Sequence, residues 1–280
     1  SGNGLAISNA AGIRLKGMAN VPMHALTIAG TGMILPMDIL GSGGRIRKET
    51  GEDASPVEVI GGELCVLDMR SMEKSAEGWF ENTESKVLDR TGLDVRNDVL
   101  PLSPMIVSTT GGIPVDDHCR AIFDSGKMWY TGLYAAGRSA YTGMHGTTPL
   151  PGNLIMEEVV TGMVAGKHAA EWSNNSQFGG HESIQQAVSS SQKKIDHMFS
   201  SEGSPVGHVA KALSSAMRII DGSGDQASMA VAHASINEIS SLGMRVTDPS
   251  RRMNTELVTA LHLEGLLSLA KLISSNEEEE

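Results

Sequence analysis

The residues best placed to do chemistry lie between Ile113 and Trp172, where a glycine-rich turn separates an apolar strand from a long helix. The turn has the sequence GLYAAG at residues 132–137, and His145-Gly146 follow it. We expect the helix to begin near Asn153, where free backbone N–H groups and the positive end of the helix dipole can stabilise negative charge. Glycines such as Gly137 and Gly152 let a ligand approach the backbone closely. The same pattern also fits an ordinary strand–turn–helix unit that binds nothing.

Composition and charge argue against nucleic acids and membranes as partners. The 280 residues suffice for one large or two moderate domains, and 22 basic against 33 acidic residues leave a net charge of −11. A nucleic-acid-binding protein needs a basic face, and we find no cluster of lysines or arginines suited to an anionic membrane. No apolar run approaches the ~18 residues that span a bilayer, and residues 1–4 lack signal-peptide features. We therefore expect no nucleic-acid partner, no direct membrane insertion and a cytoplasmic location.

Other constellations of reactive side chains are weak. Cys65 and Cys119 lie far apart and are predicted to be reduced, buried thiols. His118 and Cys119 have no further ligands at metal spacing, so we predict no metal site. No Gly-x-Ser-x-Gly elbow occurs. Glu157 and Glu158 are neighbours on a predicted helix and point in different directions, so we do not expect a catalytic pair.

Strands and helices must position these side chains in the first part of the chain, and helices alone form the last part. A short helix is predicted over residues 5–11, closed by Gly12, and residues 47–57 are predicted to be an exposed loop. The β-branched run at 105–113 and the segment 130–136 are predicted strands. The other predicted elements are a strand at 63–69, helical or irregular structure at 75–90, a helix at 153–172, a linker at about 173–182, and helices near 183–199, 205–221, 226–242 and 252–274.

Groups of short motifs follow one another in the order found in a known family. They are Gly2-Asn3-Gly4-Leu5-Ala6; Met23-His24 with Ile28-Ala29-Gly30-Thr31-Gly32; Thr110-Gly111-Gly112-Ile113-Pro114; Gly132 to Gly137 with His145-Gly146, Asn153 and Gly162; and Asp248, Ser250, Asn254, Thr255, Leu257, Leu261, Leu263 and Leu266. In order and spacing the chain resembles the succinate dehydrogenase/fumarate reductase flavoprotein subunits and their relative L-aspartate oxidase. The resemblance implies FAD as the cofactor.

The resemblance also implies an architecture. It is an α/β (α+β) fold with a partial FAD-binding domain and a capping-domain remnant, followed by an all-α helical C-terminal domain. The implied boundaries are 1–105 for the end of the FAD-binding domain and the capping-like region, 106–172 for the returning flavin-side strand, turn and helix, and 183–280 for the helical domain. The implied cofactor contacts are Gly111, Gly112, Gly137, Arg138, Gly152, Asn153 and Leu154.

Several positions where the family keeps charged groups differ here. The proton-delivering arginine aligns with Leu40, and the carboxylate-clamping arginine aligns with Pro149. Of the substrate-facing set only His24 and His145 remain, and they are the candidate catalytic residues. Leucine and proline can neither protonate a carbanion nor pair with a carboxylate, so we do not expect dicarboxylate chemistry by the family's mechanism. The other replaced positions are Met37 and Ser42 for two acids, Val107 for a histidine, and Arg138 for a glutamate.

The sequence lacks the Gly-x-Gly-x-x-Gly fingerprint that holds the adenosine end of FAD. Either the sequence is a fragment, or the missing half belongs to a separate chain. The partners that the resemblance implies are a chain that carries the nucleotide-binding half or an iron–sulfur subunit, and the implied location is cytoplasmic, including the periphery of a membrane complex. Three functions stay open. They are a partial or divergent flavoprotein oxidoreductase of this class, a catalytically lapsed relative with a structural or assembly role, and an L-aspartate oxidase-like flavoenzyme.

Overall fold

The computed structural model describes residues 2–72, 78, 80–106, 108–123, 126, 128–146, 152–177, 180–200, 202–220 and 226–275. These residues form both helices and strands, which confirms the mixed content predicted from the sequence. The chain divides into two compact units, Ser1–Val21 with Thr109–Glu280, and Pro22–Ser108. We call them the terminal unit and the inserted unit, and we describe each by itself.

The secondary structure elements are numbered in chain order. The helices are α1 (Asn3–Ala10), α2 (Asp38–Gly41), α3 (Pro56–Ile60), α4 (Glu81–Thr91), α5 (Asn153–Asn174), α6 (His181–Ser200), α7 (Val206–Met217), α8 (Gln226–Ser241) and α9 (Thr255–Ser274). The strands are β1 (Met23–His24), β2 (Thr27–Ile28), β3 (Met33–Ile34), β4 (Arg45–Lys48), β5 (Asp53–Ala54), β6 (Cys65–Asp68), β7 (Leu100–Pro101), β8 (Met105–Ile106), β9 (Ile113–Pro114), β10 (Arg120–Ile122), β11 (Trp129–Tyr134), β12 (Ala140–Tyr141), β13 (Ser204–Pro205) and β14 (Met244–Arg245).

The inserted unit is built on an antiparallel sheet with the strand order β5-β4-β6-β7. Two short antiparallel pairs, β1 with β8 and β2 with β3, extend it. Its core contains side chains with no exposed surface from the sheet and from the helices, including Ile39, Val59, Leu67 and Val87. Burial of such aliphatic side chains supplies the main favourable free energy of this unit.

The segment 47–57 is largely exposed, as predicted, but the prediction that it is a loop is wrong. The chain turns at Gly51, whose φ of 87° suits glycine, and β4 and β5 form a hairpin across this turn. The Ser55 N–H donates to the Glu58 carboxylate at 2.8 Å, which closes the capping box at the start of α3. The Lys48 ammonium lies 2.6 Å from the same carboxylate, and these contacts lower the pKa of Glu58 to about 2. Local polar contacts therefore order a segment whose polarity suggested a loop.

The terminal unit holds the strand–turn–helix segment. Strands β9 and β12 pair in parallel, β10 and β11 pair antiparallel, and α5 packs against β11 and a single 3₁₀ turn at Gly137–Ser139. The single strand predicted over 105–113 is interrupted, because β8 belongs to the inserted unit and β9 to the terminal unit. Between them the Thr109 hydroxyl donates to the Met18 carbonyl at 2.9 Å and accepts the Gly111 N–H at 3.0 Å. Val107 lies outside the described residues.

The last part of the chain contains the predicted helices α6 to α9, within a few residues of the expected bounds. The prediction that helices alone form this part is wrong, because β13 and β14 pair in parallel there. Helices α7, α8 and α9 share a core that includes Val209, Leu213, Ile236 and Leu263. Helix α1 packs on α9 so closely that a Cβ at Gly265 would lie 2.8 Å from the Cβ of Ala6. The N-terminal helix and the C-terminal helices are thus parts of one compact unit.

Helix α9 has one property that the sequence analysis did not identify. Its 20 residues, with a mean hydropathy of 1.4, are long and apolar enough to cross a bilayer by length and composition. Its buried side chains include Ala260, Leu267 and Ala270, and it packs against α1, α7 and α8. These contacts bury 33% of the apolar stretch of α9, and the side chains of Val258 and Leu266 on the same helix are exposed.

The stability of the protein should depend on pH through the Asp68 carboxylate in the inserted unit. Its side chain is 5% exposed and lies 2.9 Å from the Arg70 Nε and 3.2 Å from the Arg47 Nε. The hydrogen bond from the Arg70 side chain is the largest cause that lowers the pKa of Asp68. Because the folded-state pKa is depressed, the stabilisation is present above the unfolded value of about 3.9 and is lost as the pH falls through the folded value.

We predict that Asp68→Asn lowers the free energy of unfolding by roughly 1–3 kcal/mol at pH 7. The difference from the wild type should shrink as the pH falls below about 4. Urea unfolding followed by circular dichroism between pH 7 and pH 2.5 measures both effects. Asp53→Asn is the matched control, since this exposed carboxylate pairs with Arg45 at 3.4 Å and should contribute less than about 1 kcal/mol. A gap for Asp68→Asn that stays constant with pH would contradict the electrostatic origin.

Candidate functional site

The described residues leave free space at the N-terminus of α5. Gly152 caps the helix in a left-handed conformation, with φ 85° and ψ −28°, and a Cβ at this position would meet no atom within 4 Å. Among the described residues no side chain caps the helix, and its first turn contains no acidic residue. The backbone N–H groups of Asn153 and Leu154 therefore keep their capacity for an acceptor outside the helix. Such a terminus favours an anion or a group on which negative charge develops.

The glycine-rich turn is fastened to α5 by a buried hydrogen bond. The Gly137 N–H donates to the Thr161 hydroxyl oxygen at 2.8 Å, and that hydroxyl donates to the Glu157 carbonyl at 2.5 Å. Gly137 has a φ of 55°, and a Cβ there would lie 2.8 Å from the Glu158 Cγ. The turn at residues 137–139 therefore lies directly on the second and third turns of the helix.

A histidine and a carboxylate meet beside this turn. The Thr142 hydroxyl donates to one oxygen of the Glu157 carboxylate at 2.5 Å, and the other oxygen lies 3.5 Å from the His145 Nε2. The Glu157 side chain is 9% exposed, and the buried Nε2 atom has no hydrogen-bond partner among the described residues. A carboxylate next to Nε2 favours the tautomer with its proton there, which leaves Nδ1 as an acceptor. This arrangement can accept a proton at Nδ1 and hold the resulting cation next to an acid.

The neighbouring acid faces a different partner. The Glu158 carboxylate lies 3.4 Å from the Arg138 Nε, and both side chains are about half exposed. Glu157 and Glu158 therefore point to different partners, as predicted, while the absence of a catalytic pair stays a prediction. The Arg138 guanidinium stands at the surface next to the glycine-rich turn.

The paired glycines at 111–112 are required by the packing of the backbone. Gly112 exchanges two backbone hydrogen bonds with Lys16, at 2.8 and 2.9 Å. A Cβ at Gly111 would lie 2.5 Å from the Gly17 carbonyl oxygen, and one at Gly112 would lie 2.8 Å from the Ser139 carbonyl oxygen. Close backbone packing thus accounts for both glycines, and their predicted contact with a cofactor stays a prediction.

The other candidate histidine belongs to the inserted unit. The His24 Nε2 is 2.8 Å from the Leu35 carbonyl oxygen, so the ring is held by the backbone of its own unit. In the same unit Leu40 and Met37 are partly buried and pack against the hydrophobic core. The position aligned with the proton-delivering arginine is therefore part of an apolar contact. Pro149, aligned with the second arginine, lies outside the described residues.

Sequence reasoning missed the side chains that organise this site, namely Thr142, Glu157 and Thr161. Glu157 and Thr161 are four residues apart and share one face of α5, a spacing that marks neighbours on a helix. No pattern in the sequence joins them to Thr142. Both cysteines are free and buried, as predicted.

Comparisons with known proteins place this geometry in a family. Residues 1–155, more than half of the chain, match the FAD binding domain family, and the chain belongs to it. The family match confirms FAD as the cofactor predicted from the sequence. The chain is related to the fumarate reductase flavoprotein subunits of Haemophilus influenzae and Escherichia coli, at 24% and 22% identity over 99% and 98% of this chain. It is 28% identical to the L-aspartate oxidase of Mycobacterium leprae over 61% of this chain and 36% of that protein.

Solved structures agree on the fold. A mutant FrdA of Escherichia coli quinol fumarate reductase matches with a TM-score of 0.84 at 20% identity, over 98% of this chain and 53% of that chain. Mycobacterium smegmatis Sdh1 in complex with UQ1 matches with a TM-score of 0.72 at 19% identity, over 98% of this chain and 50% of that chain. The chain spans about half the length of the curated relatives it matches, 52% for both fumarate reductase subunits.

The described residues fit the isoalloxazine end of FAD. The terminus of α5 offers backbone donors, no acidic side chain stands in its first turn, and the surroundings of Gly152 are open. These features match the requirement of a ring system that gains negative charge on reduction. The adenosine end has no corresponding Gly-x-Gly-x-x-Gly segment in residues 1–280.

We predict that Thr161→Val destabilises the protein by roughly 1–3 kcal/mol, because the buried Gly137 N–H loses its acceptor at almost unchanged volume. Thr259→Val is the matched control, since the exposed Thr259 hydroxyl donates only to the Thr255 carbonyl within its own helix. Urea unfolding of the two variants compares them directly. Equal effects of the two substitutions would show that the bond between turn and helix contributes little.

Proposed function

We propose that this chain is the isoalloxazine-side part of an FAD-dependent oxidoreductase related to the succinate dehydrogenase/fumarate reductase flavoprotein subunits. The observation that carries the proposal is the open, acid-free N-terminus of α5 next to the turn that holds Gly137 and Arg138. In this proposal residues 1–105 are the end of the FAD-binding domain with a capping-like region, 106–172 the returning flavin-side segment, and 183–280 the helical domain.

Each proposed contact has a physical task. The bound flavin supplies hydride and electron transfer. The N–H groups of Asn153 and Leu154 and the dipole of α5 stabilise negative charge on it, and Gly152 leaves the approach free. Gly111, Gly112 and Gly137 would contact the cofactor through their backbone, and Arg138 would add a positive charge near it.

His145 is the proposed proton-transfer residue of the terminal unit. Support comes from the Glu157 carboxylate beside its Nε2 and from the Thr142 hydroxyl that holds this carboxylate. Such a pair orients the ring and stabilises its charged form after the proton arrives. His24 is the corresponding candidate of the inserted unit, although its Nε2 is engaged by the Leu35 carbonyl and only Nδ1 is left for a substrate.

The proposed substrate is not a dicarboxylate handled with the two arginines of the family. Leu40 packs against an apolar core, and an uncharged side chain there supplies neither a proton nor a carboxylate contact. The same observation favours a second candidate, a catalytically lapsed relative that keeps the fold for a structural or assembly role. The relatedness to L-aspartate oxidase keeps an amino-acid oxidase as a narrower alternative within the first proposal.

Partners and location are part of the proposal. We expect a segment that supplies the nucleotide-binding half of the FAD site, since the chain spans about half of its relatives. An iron–sulfur subunit is the alternative partner, in keeping with the quinol–fumarate reductase assembly among the matching structures. The expected location is cytoplasmic, at the periphery of a membrane complex.

The test of flavin binding uses the chain alone and together with the polypeptide encoded upstream of Ser1. We expect visible flavin absorbance that bleaches on reduction, and an assembly that takes up no FAD would contradict the proposal. Asn153→Asp should lower the flavin midpoint potential by roughly 10–40 mV, because a carboxylate at the helix start opposes negative charge on the reduced ring. Asn174→Asp is the matched control, since it lies at the other end of α5, about 30 Å away.

The substrate proposal predicts that the flavin-loaded assembly does not turn over succinate or fumarate. Spectrophotometric assays with an artificial electron donor or acceptor measure this directly. Turnover by the unmodified assembly would refute both the substrate proposal and the lapsed alternative. Leu40→Arg combined with Pro149→Arg should raise any residual fumarate reduction, whereas Leu40→Met should not, because only the arginines restore charge-assisted contacts.

A further inference from the structure

A short loop of the terminal unit is held against helix α5 by two of its residues. The loop covers residues 116–119, between β9 and β10. The His118 ring meets the His168 ring of α5 edge to face, with ring centroids 4.3 Å apart and an interplanar angle of 76°. The Cys119 side chain is buried, and its sulfur lies within hydrogen-bonding reach of the Ala165 backbone. Ala165 and His168 are neighbours on one side of α5, so both contacts join the loop to the same stretch of helix.

The loop is built around the Asp116 carboxylate. This carboxylate accepts the His118 N–H at 3.0 Å, the Arg120 N–H at 3.0 Å and the Arg120 Nε–H at 2.7 Å. Cys119 has a φ of 59°, a left-handed conformation that is uncommon for a residue other than glycine. Burial would raise the pKa of Asp116, but hydrogen bonds from Arg120 and His118 lower it below its ordinary value. The carboxylate therefore stays ionised at pH 5 and above, and the internal bonds of the loop persist there.

The charged and polar groups around the histidine pair come from three elements. On α5 the Glu171 carboxylate lies 3.5 Å from the His168 Nδ1. From β11 the Tyr134 hydroxyl donates to the His168 carbonyl at 3.2 Å. On the loop side Asp116 and Arg120 neutralise each other at 2.6 Å. The charged residues that adjoin the two histidines in sequence, which are of opposite sign and exposed, are Asp117 and Lys167. One carboxylate thus stands beside the pair, and it can compensate one positive charge.

The ring contact is stable only while at least one of the two rings is neutral. Imidazole is the side chain that ordinarily changes charge between about pH 5 and pH 8. When His168 alone is protonated, Glu171 compensates its charge and the edge-to-face contact is kept. When His118 is protonated as well, two like charges stand about 4 Å apart. Repulsion at that distance shifts an equilibrium roughly fivefold even in bulk water, and more where water is partly excluded.

We propose that residues 116–119 form a proton-sensitive latch on α5, closed near neutral pH and released in mild acid when His118 and His168 are both charged. Release moves the loop away from the Ala165 backbone and uncovers the Cys119 thiol, which is 5% exposed in the closed form. The latch is separate from the proposed flavin contacts, because α5 rises about 22 Å from Asn153 to His168 at 1.5 Å per residue. It therefore goes beyond the proposed function and does not depend on it.

The test measures how fast Cys119 reacts with 4,4′-dithiodipyridine, a disulfide that labels thiols in acid as well as near neutral pH. Peptide mass spectrometry separates Cys119 from Cys65, which is buried in the inserted unit and serves as the internal reference. In the wild-type chain the labelling rate of Cys119 relative to Cys65 should rise roughly fivefold or more between about pH 7.5 and about pH 5. In His118→Gln and in His168→Gln this ratio should not change with pH, because neither variant can hold two charges. His208→Gln is the matched control, since it removes an exposed imidazole from α7 and should keep the wild-type response.

A ratio that rises in the wild type and in His208→Gln, and that stays constant in both variants of the pair, would support the latch. A constant ratio in the wild type, or a rise that persists in either variant of the pair, would overturn it. Equal acceleration of both cysteines would overturn it too, because it would show opening of the whole protein rather than of one loop. Circular dichroism at both pH values checks the fold. Either variant of the pair is a sufficient test, so one that fails to fold leaves the other to decide.

Discussion

The hydrogen bond between the Gly137 N–H and the Thr161 hydroxyl is the constraint on which the candidate site depends. It joins the glycine-rich turn to the third turn of α5, at 2.8 Å and out of contact with water. The chain continues from this turn to Thr142 and His145. The same bond therefore sets the position along α5 at which these side chains reach Glu157. A left-handed glycine is needed at 137 because the backbone must reverse where the Glu158 side chain already occupies the space for a Cβ.

This constraint also explains why α5 starts where it does. A helix that is held beyond its first turn can leave that first turn free, and the left-handed Gly152 ends the preceding segment without a side-chain cap. The uncapped N–H groups have a free-energy cost unless a ligand or water accepts from them. A cofactor that gains negative charge would stabilise this uncapped terminus. The hydrogen bond between Gly137 and Thr161 holds the glycine-rich turn next to it.

Sequence reasoning predicted the elements better than the contacts between them. The helices of the last part were predictable because their apolar periodicity is long, and α5 was predictable because Gly152 and Asn153 mark its start. The segment 47–57 was not, because its order comes from Lys48, Ser55 and Glu58, whose polarity also fits a loop. The contact of Thr142 with Glu157 was not predictable either, since it requires the three-dimensional course of the turn. The sequence motifs were enough to predict the family. The roles of the individual glycines became clear only from the distances between their backbone and neighbouring atoms.

The fold can be kept when apolar residues stand at positions where the family has charged residues. In a closed site an arginine is held by the substrate and by neighbouring acids. When leucine replaces it, these polar contacts are lost and the surrounding residues must make apolar contacts instead. Leu40 and Met37, which the resemblance aligns with charged residues of the family, both pack against the core of the inserted unit. Partial replacement would have left an unpaired buried charge, which is costly, whereas joint replacement is close to neutral for stability. The core of the inserted unit can therefore persist without these charges, and in the terminal unit the Glu157 carboxylate lies 3.5 Å from the His145 Nε2.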